Sequence, residues 1–499
     1  MNKTRSKNMM GNYTSTRNNK IKTTFSNAVL QGISENGGLF VPINLHPLSL
    51  KVLLELSYQE MAIAILKAFI DDFEEEEIAN CVRKAYSHTF STSNVVVINP
   101  LADATLLELY HGPTSAFKDV ALQLLPQFMQ TAKHKHQIKE DTYILTATSG
   151  DTGKAALEGF KNIEGIQVIC LYPNQLVSKI QEKQMLTTQG KNTQVYAVKG
   201  NFDDCQRMVK EVFNDSSFNK KCLDHNIQLS SANSINIGRL CPQVVYYFYT
   251  YCQLVKNKTI QLGDEINFVV PTGNFGNILA GYYAKKLGLP IHQLICASNK
   301  NDVLTDFIRT GTYNRNREFH KTISPSMDIL VSSNVERFIY ECCTQDSNRV
   351  KECMDDLTKT GSYSLLPDEL ELLKKEFKSY TADDKMTKQT IHSCFNKTNR
   401  IIDPHTAVAL NCYKQYQDET QDKTHTVILS TASCYKFPTD VVQAILGITL
   451  SEEEAILSIK KNSSEEIPTN INALITMDDV YPNIIKQDEL RDKILERMK

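Results

Sequence analysis

The chain has 499 residues, 41% of them hydrophobic and 22% charged, the balance of an ordinary soluble globular protein with length for about three domains. A net charge of −2 and an isoelectric point near 6.6 give no support for binding nucleic acid or an anionic membrane. Thirteen cysteines occur without a CxxC pair, which points to reduced thiols in a cytoplasmic protein and argues against a disulfide framework or a metal site.

The first stretch, Met1 to Lys22, is basic and rich in Asn, Ser and Thr but lacks the apolar centre of a secretory signal. A transit peptide has only Lys3, Arg5 and Lys7 in its favour. No apolar run approaches the ~20 residues that a membrane helix needs. The paired glycines of Asn36–Gly–Gly–Leu–Phe–Val–Pro42 predict a turn feeding a short strand. Leu54 to Phe73 has helical spacing, Glu74–Glu77 reads as a solvated helix start, and Val95–Ile98 predicts a buried strand.

His111–Gly–Pro–Thr–Ser–Ala–Phe–Lys–Asp119 follows. A loop opened by Gly and Pro carries Lys118 into a helix whose Val120, Leu122, Leu125, Phe128 and Met129 recur at helical spacing. A lysine in a partly apolar cleft holds its proton less firmly, so the free amine needed for a Schiff base becomes accessible. Asp119 falls near the helix start, where a carboxylate complements the dipole. Taken alone, Lys118 has a plain alternative as a solvated surface charge.

The middle of the chain alternates strand and helix signals. Tyr143–Thr148, Ile166–Tyr172, Gln194–Val198, Ile266–Val270, Leu294–Ala297 and Val427–Leu429 are the predicted strands. This order predicts βαβ units and a mainly parallel sheet covered on both faces, with ligands bound at the carboxyl ends of its strands. Three strand-to-helix loops suit that role. Thr148–Ser–Gly–Asp–Thr–Gly–Lys154 combines glycines with Ser149 and Thr152 at a helix start, a place for an anion, but lacks P-loop spacing. Asn233–Ser–Ile–Asn–Ile–Gly–Arg239 offers several neutral donors and one permanent charge suited to a phosphate or carboxylate. Val269–Val–Pro–Thr–Gly–Asn–Phe–Gly–Asn277 has two glycines that let the backbone approach a phosphate closely. Each has a bland reading as a capped helix start.

Glu341 to Asn399 is highly charged and helical in character, and reads as an insertion or accessory subdomain. Asp403–Pro–His–Thr–Ala407 is a turn into a helix in which His405 reads as a capping or packing residue. Thr426–Val–Ile–Leu–Ser–Thr–Ala–Ser433 ends a strand with hydroxyls ahead of Lys436–Phe–Pro438. Thr431 is placed to offer a neutral hydrogen bond to a buried ring nitrogen, or to be a satisfied strand-end hydroxyl. A polar helical tail follows from Ser451.

Together these stretches, with Tyr13–Thr–Ser–Thr–Arg17 and Asn299–Lys–Asn–Asp–Val–Leu–Thr–Asp306, resemble the threonine synthase family in its fungal and enterobacterial branch. The likeness covers roughly residues 13 to 445, and the segments follow in the family's order. It implies a fold-type-II α/β architecture similar to the tryptophan synthase β subunit, with two open, mainly parallel sheets and a small N-terminal domain. The expected division is 1–97 for that domain, 98–450 for a catalytic core with its insertion at 341–399, and 451–499 for the tail. The cofactor implied is pyridoxal 5′-phosphate, with Lys118 as its Schiff-base lysine. Gly273, Asn274, Phe275 and Asn277 would hold its phosphate, and Thr431 would face the pyridine nitrogen. Ser149, Thr152, Asn233 and Arg239 are expected at the substrate's carboxylate and phosphate. The sequence departs from the family at Asn18, where Gly is usual, and at Cys434, where Pro is common, and neither is a residue that chemistry demands. Asp151 stands where many fold-type-II enzymes have Asn, a trait of this branch.

The reaction implied is O-phospho-L-homoserine plus water giving L-threonine and phosphate, by a monomer or a homodimer. A related phospholyase would release 2-oxobutyrate, ammonia and phosphate from the same residues, and a silent binding protein would keep only the scaffold.

Overall fold

A computed structural model describes residues 11–148, 150–188, 190–463, 465–477 and 482–496. Two open sheets carry the architecture. One has six strands in the order Phe377–Thr381, Ile291–Ser298, Ile266–Pro271, Thr426–Ser430, Ala104–Glu108 and Val97–Leu101. All pair parallel except the last two, which are antiparallel. The other has five parallel strands in the order Asn483–Ile485, Thr193–Val198, Ile166–Pro173, Asp141–Ala147 and Ile227–Ser230. Ile266–Pro271 and Thr426–Ser430 are buried at every position, because helices cover both faces of a parallel sheet. The expected fold-type-II pair of mainly parallel sheets is what the chain builds.

The N-terminal unit is a three-stranded antiparallel sheet, Asn18–Thr23, Tyr13–Ser15 and Phe40–Pro42, with helices at Phe25–Gln31, Tyr58–Phe69 and Glu75–Tyr86. Gly37 turns at φ +76° ahead of Phe40–Pro42, as its pairing with Gly38 predicts. Arg17 closes a two-pronged bond on Glu336 at 2.9 and 2.7 Å, and the buried Arg337 donates to Phe40 O at 2.9 Å. One apolar cluster runs without a break from Tyr13 and Phe25 through Tyr247 and Tyr283 to Phe338.

Three expectations meet a different outcome. The strand foreseen at Val95–Ile98 begins at Val97, because Val95 turns left-handed at φ +64°. The charged stretch 341–399 is joined to the core: Phe377–Thr381 is the edge strand beside Ile291–Ser298, and helix Asp384–Thr398 packs on helix Pro404–Thr420. The tail from Ser451 is not wholly helical either. Asn483–Ile485 adds a strand to the five-stranded sheet, and Leu490 and Ile494 complete its outer apolar cluster.

Candidate active site

The loop carrying Lys118 is fastened to the loop that leaves Thr426–Ser430. Leu109 N–H donates to Ser430 O (2.9 Å), Phe117 N–H to Thr431 O (2.8 Å) and Ser433 N–H to Ser115 O (3.1 Å), with a bridge between Ala116 and Ala432. Lys118 opens the helix Lys118–Leu122, and its Nζ donates to Ser326 Oγ at 3.2 Å and lies 3.6 Å from Asp151 Oδ2. Burial lowers its pKa to about 8, opposed by Asp151 and assisted by the positive charges of Lys436 and Arg239. Asp119 accepts from the N–H and hydroxyl of Thr114, both at 2.8 Å, and burial raises its carboxyl to about 6. It therefore ties the Lys118 loop as well as standing in the first turn of the helix.

The glycine loop approaches from the neighbouring strand. A Cβ on Gly273 would come within 2.6 Å of Ser326 O, so only glycine lets this loop and the Ser326 turn touch. Phe275 is left-handed at φ +61° and begins the helix Gly276–Lys286. Its ring packs in the core against Phe338 and Phe377, which leaves its backbone at the loop. Asn274 is exposed. Gly273 O accepts from Ser332 Oγ (2.8 Å), and Asn274 O accepts from Asn334 N–H (3.2 Å) and Nδ2 (3.1 Å). Tyr246 and Tyr247 hydroxyls donate to Asn277 Oδ1 at 2.6 and 3.0 Å. They fix which way the amide points, and its Nδ2 is buried with no hydrogen-bond partner among the described residues.

Arg239 is the second buried group with an unspent donor. Its Nη1 donates to Ala232 O at 3.0 Å, while Nε finds no partner and no acidic side chain pairs with it among the described residues. Burial alone lowers its pKa to about 10. Gln243 Nε2 donates to Arg239 O (2.6 Å), and Tyr246 OH, whose one proton points chiefly to Asn277 Oδ1, lies 3.3 Å from Gln243 Oε1, so a short polar chain runs from the Arg239 backbone to Asn277. Thr152 and Asn233 are half-buried, the first in the opening turn of helix Asp151–Phe160 after strand Asp141–Ala147, the second in the loop that leaves the adjacent strand Ile227–Ser230. Thr431 is 5% exposed at the end of its strand. Ser149 lies outside the described residues.

Further participants carry little signal of their roles in the sequence. Ser326 sits in a one-turn 3-10 helix, Pro325–Met327, donating to Asp151 Oδ2 at 3.1 Å. Its N–H donates to His405 Nε2 (3.2 Å), and His405 Nδ1 in turn donates to Asp403 Oδ1 (2.8 Å), so His405 does cap and pack, against this turn. Asn299 Nδ2 donates to Thr322 Oγ1 and Asp328 Oδ1, which holds the turn's base. Lys436, wholly buried, donates to Asp151 Oδ1 at 2.7 Å, and Gln181 Nε2 donates to the same oxygen at 3.0 Å. Burial opposes the ionisation of Asp151, but Lys436 and Lys118 together hold its carboxyl far below the usual range. Lys436, Asn299 and His405 lie in motifs that the sequence marks, though without these roles; Ser326 and Gln181 have no periodic or glycine-rich context to mark them.

An unspent amide donor, a buried guanidinium with no acidic partner among the described residues and a lysine of lowered pKa fit an anionic cofactor and an anionic substrate. The comparisons agree. Residues 12–86 match the family described as "Threonine synthase N terminus", 105–432 "Pyridoxal-phosphate dependent enzyme" and 406–480 "Threonine synthase, C-terminal". "Threonine synthase-like 1" of Homo sapiens is 38% identical over 466 residues, covering 90% of this chain, and the chain spans 62% of that relative's length. Threonine synthase of Saccharomyces cerevisiae is 37% identical over 469 residues, 88% of this chain and 90% of the relative. The crystal structure of a pyridoxal-phosphate-bound threonine synthase from Brucella melitensis superposes with TM-score 0.85 at 34% identity, covering 97% of this chain and 98% of that one. The yeast threonine synthase structure gives 0.86 at 33% identity, with the same coverage. The chain belongs to the threonine synthase family of pyridoxal-phosphate-dependent enzymes.

Proposed function

We propose that the chain is a threonine synthase, converting O-phospho-L-homoserine and water into L-threonine and phosphate in the cytoplasm. The observation that carries this reading is Arg239, a buried cation held by one carbonyl and by no acid among the described residues, near enough to Lys118 for its charge to act there. Burying a guanidinium without an anion is costly, and an anionic substrate supplies the missing partner. When bound, pyridoxal phosphate supplies the electron sink that stabilises negative charge at the substrate's α-carbon.

The remaining work falls to the chain's own side chains. Asn277 Nδ2, its amide set by Tyr246 and Tyr247, and the backbone of Gly273, Asn274 and Phe275 at the helix start bind the cofactor's phosphate. Lys118 anchors the cofactor, then moves protons at Cα and Cβ of the substrate; its lowered pKa makes the free amine available near neutral pH. Thr431 offers the ring nitrogen a neutral hydroxyl, which leaves that nitrogen largely unprotonated. Arg239 and Asn233 hold the leaving phosphate, and Ser149 and Thr152 the substrate carboxylate.

The test is a product assay with O-phospho-L-homoserine that follows phosphate, threonine and 2-oxobutyrate together. Threonine equal to phosphate is the expected result. Oxo acid equal to phosphate would make the protein a phospholyase, and release of neither would leave the scaffold alone.

A further inference from the structure

Lys436 has no part in that reading, yet it is a wholly buried cation next to the lysine that does. It lies in the 3-10 turn Cys434–Lys436, just past Thr431, and reaches two elements of the site at once. Its ammonium donates to Thr114 O at 2.9 Å, inside the Lys118 loop, and to Asp151 Oδ1 at 2.7 Å, at the start of helix Asp151–Phe160. The second carboxylate oxygen, Oδ2, accepts from Ser326 Oγ at 3.1 Å and lies 3.6 Å from Lys118 Nζ. A buried ammonium and a buried carboxylate are each expensive alone and tolerable only as a pair with further hydrogen bonds. Thr114, Gln181 and Ser326 provide those bonds.

We propose that Lys436 is a positioning residue for Lys118 that acts through Asp151. Its ammonium holds Oδ1 and keeps the carboxylate ionised, so that Oδ2 stands fixed against Ser326 and the Lys118 amine. The inference rests on the reading of Lys118 as the cofactor's anchor. Among the described residues the charged groups facing Asp151 are Lys436 and Lys118, Gln181 is a neutral donor, Arg239 acts on Lys118 from beyond, and Lys436 also faces the buried Asp119. Without Lys436, a buried carboxylate would face only Lys118, which burial has already made a poorer cation. A carboxyl so placed takes up a proton at a pH several units higher than an exposed one.

The experiment titrates the visible absorbance of the bound cofactor from about pH 5 to about pH 9, a window wide enough to catch a strongly raised carboxyl. It compares the wild-type holoenzyme with Lys436→Met, Lys436→Arg and the double variant Lys436→Met/Asp151→Asn. Asp119, at about 6, falls within this window in the wild type and is also faced by Lys436. Lys436→Met is expected to add a further ionisation, and one that persisted in the double variant would belong to Asp119 and overturn the proposal. Lys436→Arg, which keeps the charge, should lack it, and the double variant should lose it again. A folded, cofactor-loaded Lys436→Met with the wild-type titration curve would overturn the proposal. Should that variant fail to fold, the double variant decides. With no carboxylate to hold, it should fold and load; if it fails as well, Lys436 serves only the packing of its turn and the proposal falls. Lys118→Ala separates the underlying reading, because the wild-type bound spectrum in that variant would remove Lys118 as the anchor whatever Lys436 does.

Discussion

The residues proposed for the cofactor and those proposed for the substrate come from different sheets, and the two sets are held differently. Gly273–Asn277, Thr431 and Lys118 leave three neighbouring strands of the six-stranded sheet. Their loops are bonded to one another or to a supporting turn, as in Phe117 N–H to Thr431 O, Ser332 Oγ to Gly273 O and Asn334 N–H to Asn274 O. Thr152 and Asn233 leave two neighbouring strands of the five-stranded sheet, and their segments carry internal bonds beside outward ties such as Asn334 Nδ2 to Ser234 O (3.2 Å) and Lys436 to Asp151 Oδ1 (2.7 Å). Thr148 Oγ1 accepts from Gly150 and Gly153 N–H, Asn233 O accepts from Asn236 N–H, and Arg239 Nη1 donates to Ala232 O. A cofactor that stays bound favours a cradle whose walls are cross-linked in advance.

The largest effect should come from the cofactor side. Lys118→Ala removes both the anchor and the proton carrier, and turnover should fall by at least about a thousandfold, with loss of the anchored cofactor's absorbance. Retained turnover would break the comparison at its centre. Arg239→Met comes next and tests the buried member of the substrate side. Losing one charge-assisted contact of about 3 kcal/mol should lower kcat/KM about a hundredfold. The melting temperature should hold or rise, because the residue removed is a buried cation with no acidic partner among the described residues. A large fall in melting temperature instead would mark Arg239 as structural.

The parts of this arrangement that periodicity and spacing encode were legible beforehand. The buried runs Ile166–Pro173 and Ile266–Pro271 announce parallel strands, and the glycines of the loop after Pro271 announce a close approach. Gly273 is required where the backbone meets Ser326 O, a neighbour 53 positions along the chain that no local pattern names. The same holds for the Asp151–Lys436 pair, which joins two motifs that each read as an ordinary helix start or strand end. Phe275 shows the reverse: its place in the motif was legible, but the direction of its ring follows from the aromatic cluster of Phe338 and Phe377. Edge strands such as Phe377–Thr381 escaped because FKSYT is short and mixed in polarity, and only its pairing with Ile291–Ser298 identifies it.

A tenfold effect is expected from pH alone. The Lys118 amine must be unprotonated to capture the cofactor, and burial brings its pKa down to about 8. For the apoprotein, the rate of pyridoxal phosphate uptake should therefore rise with pH, about tenfold per unit below that value, and level off above it. An ordinary exposed lysine would give a rate still climbing at about pH 10. A plateau near pH 8 would support a lysine held in the pre-built cradle, and a continuing rise would show that the amine is solvated before the cofactor arrives.

The smallest effect should fall on Asn233, and it is the sharpest test of the difference between the two sides. Asn233 is half-buried, so water can replace part of what its side chain offers. One neutral hydrogen bond of about 1 kcal/mol corresponds to roughly a fivefold change, and Asn233→Ala should raise KM by that factor with kcat nearly unchanged. The cofactor's spectrum and affinity should not move, because among the described residues no bond of the cradle passes through the Asn233 side chain. Asn277→Ala provides the contrast. It removes a buried donor and frees two tyrosine hydroxyls that now have an acceptor, so its effect should appear as weaker cofactor binding. If Asn233→Ala weakened cofactor binding as much as Asn277→Ala, the Asn233 side chain would belong to the cofactor's cradle, and the division between the two sets of side chains would not hold.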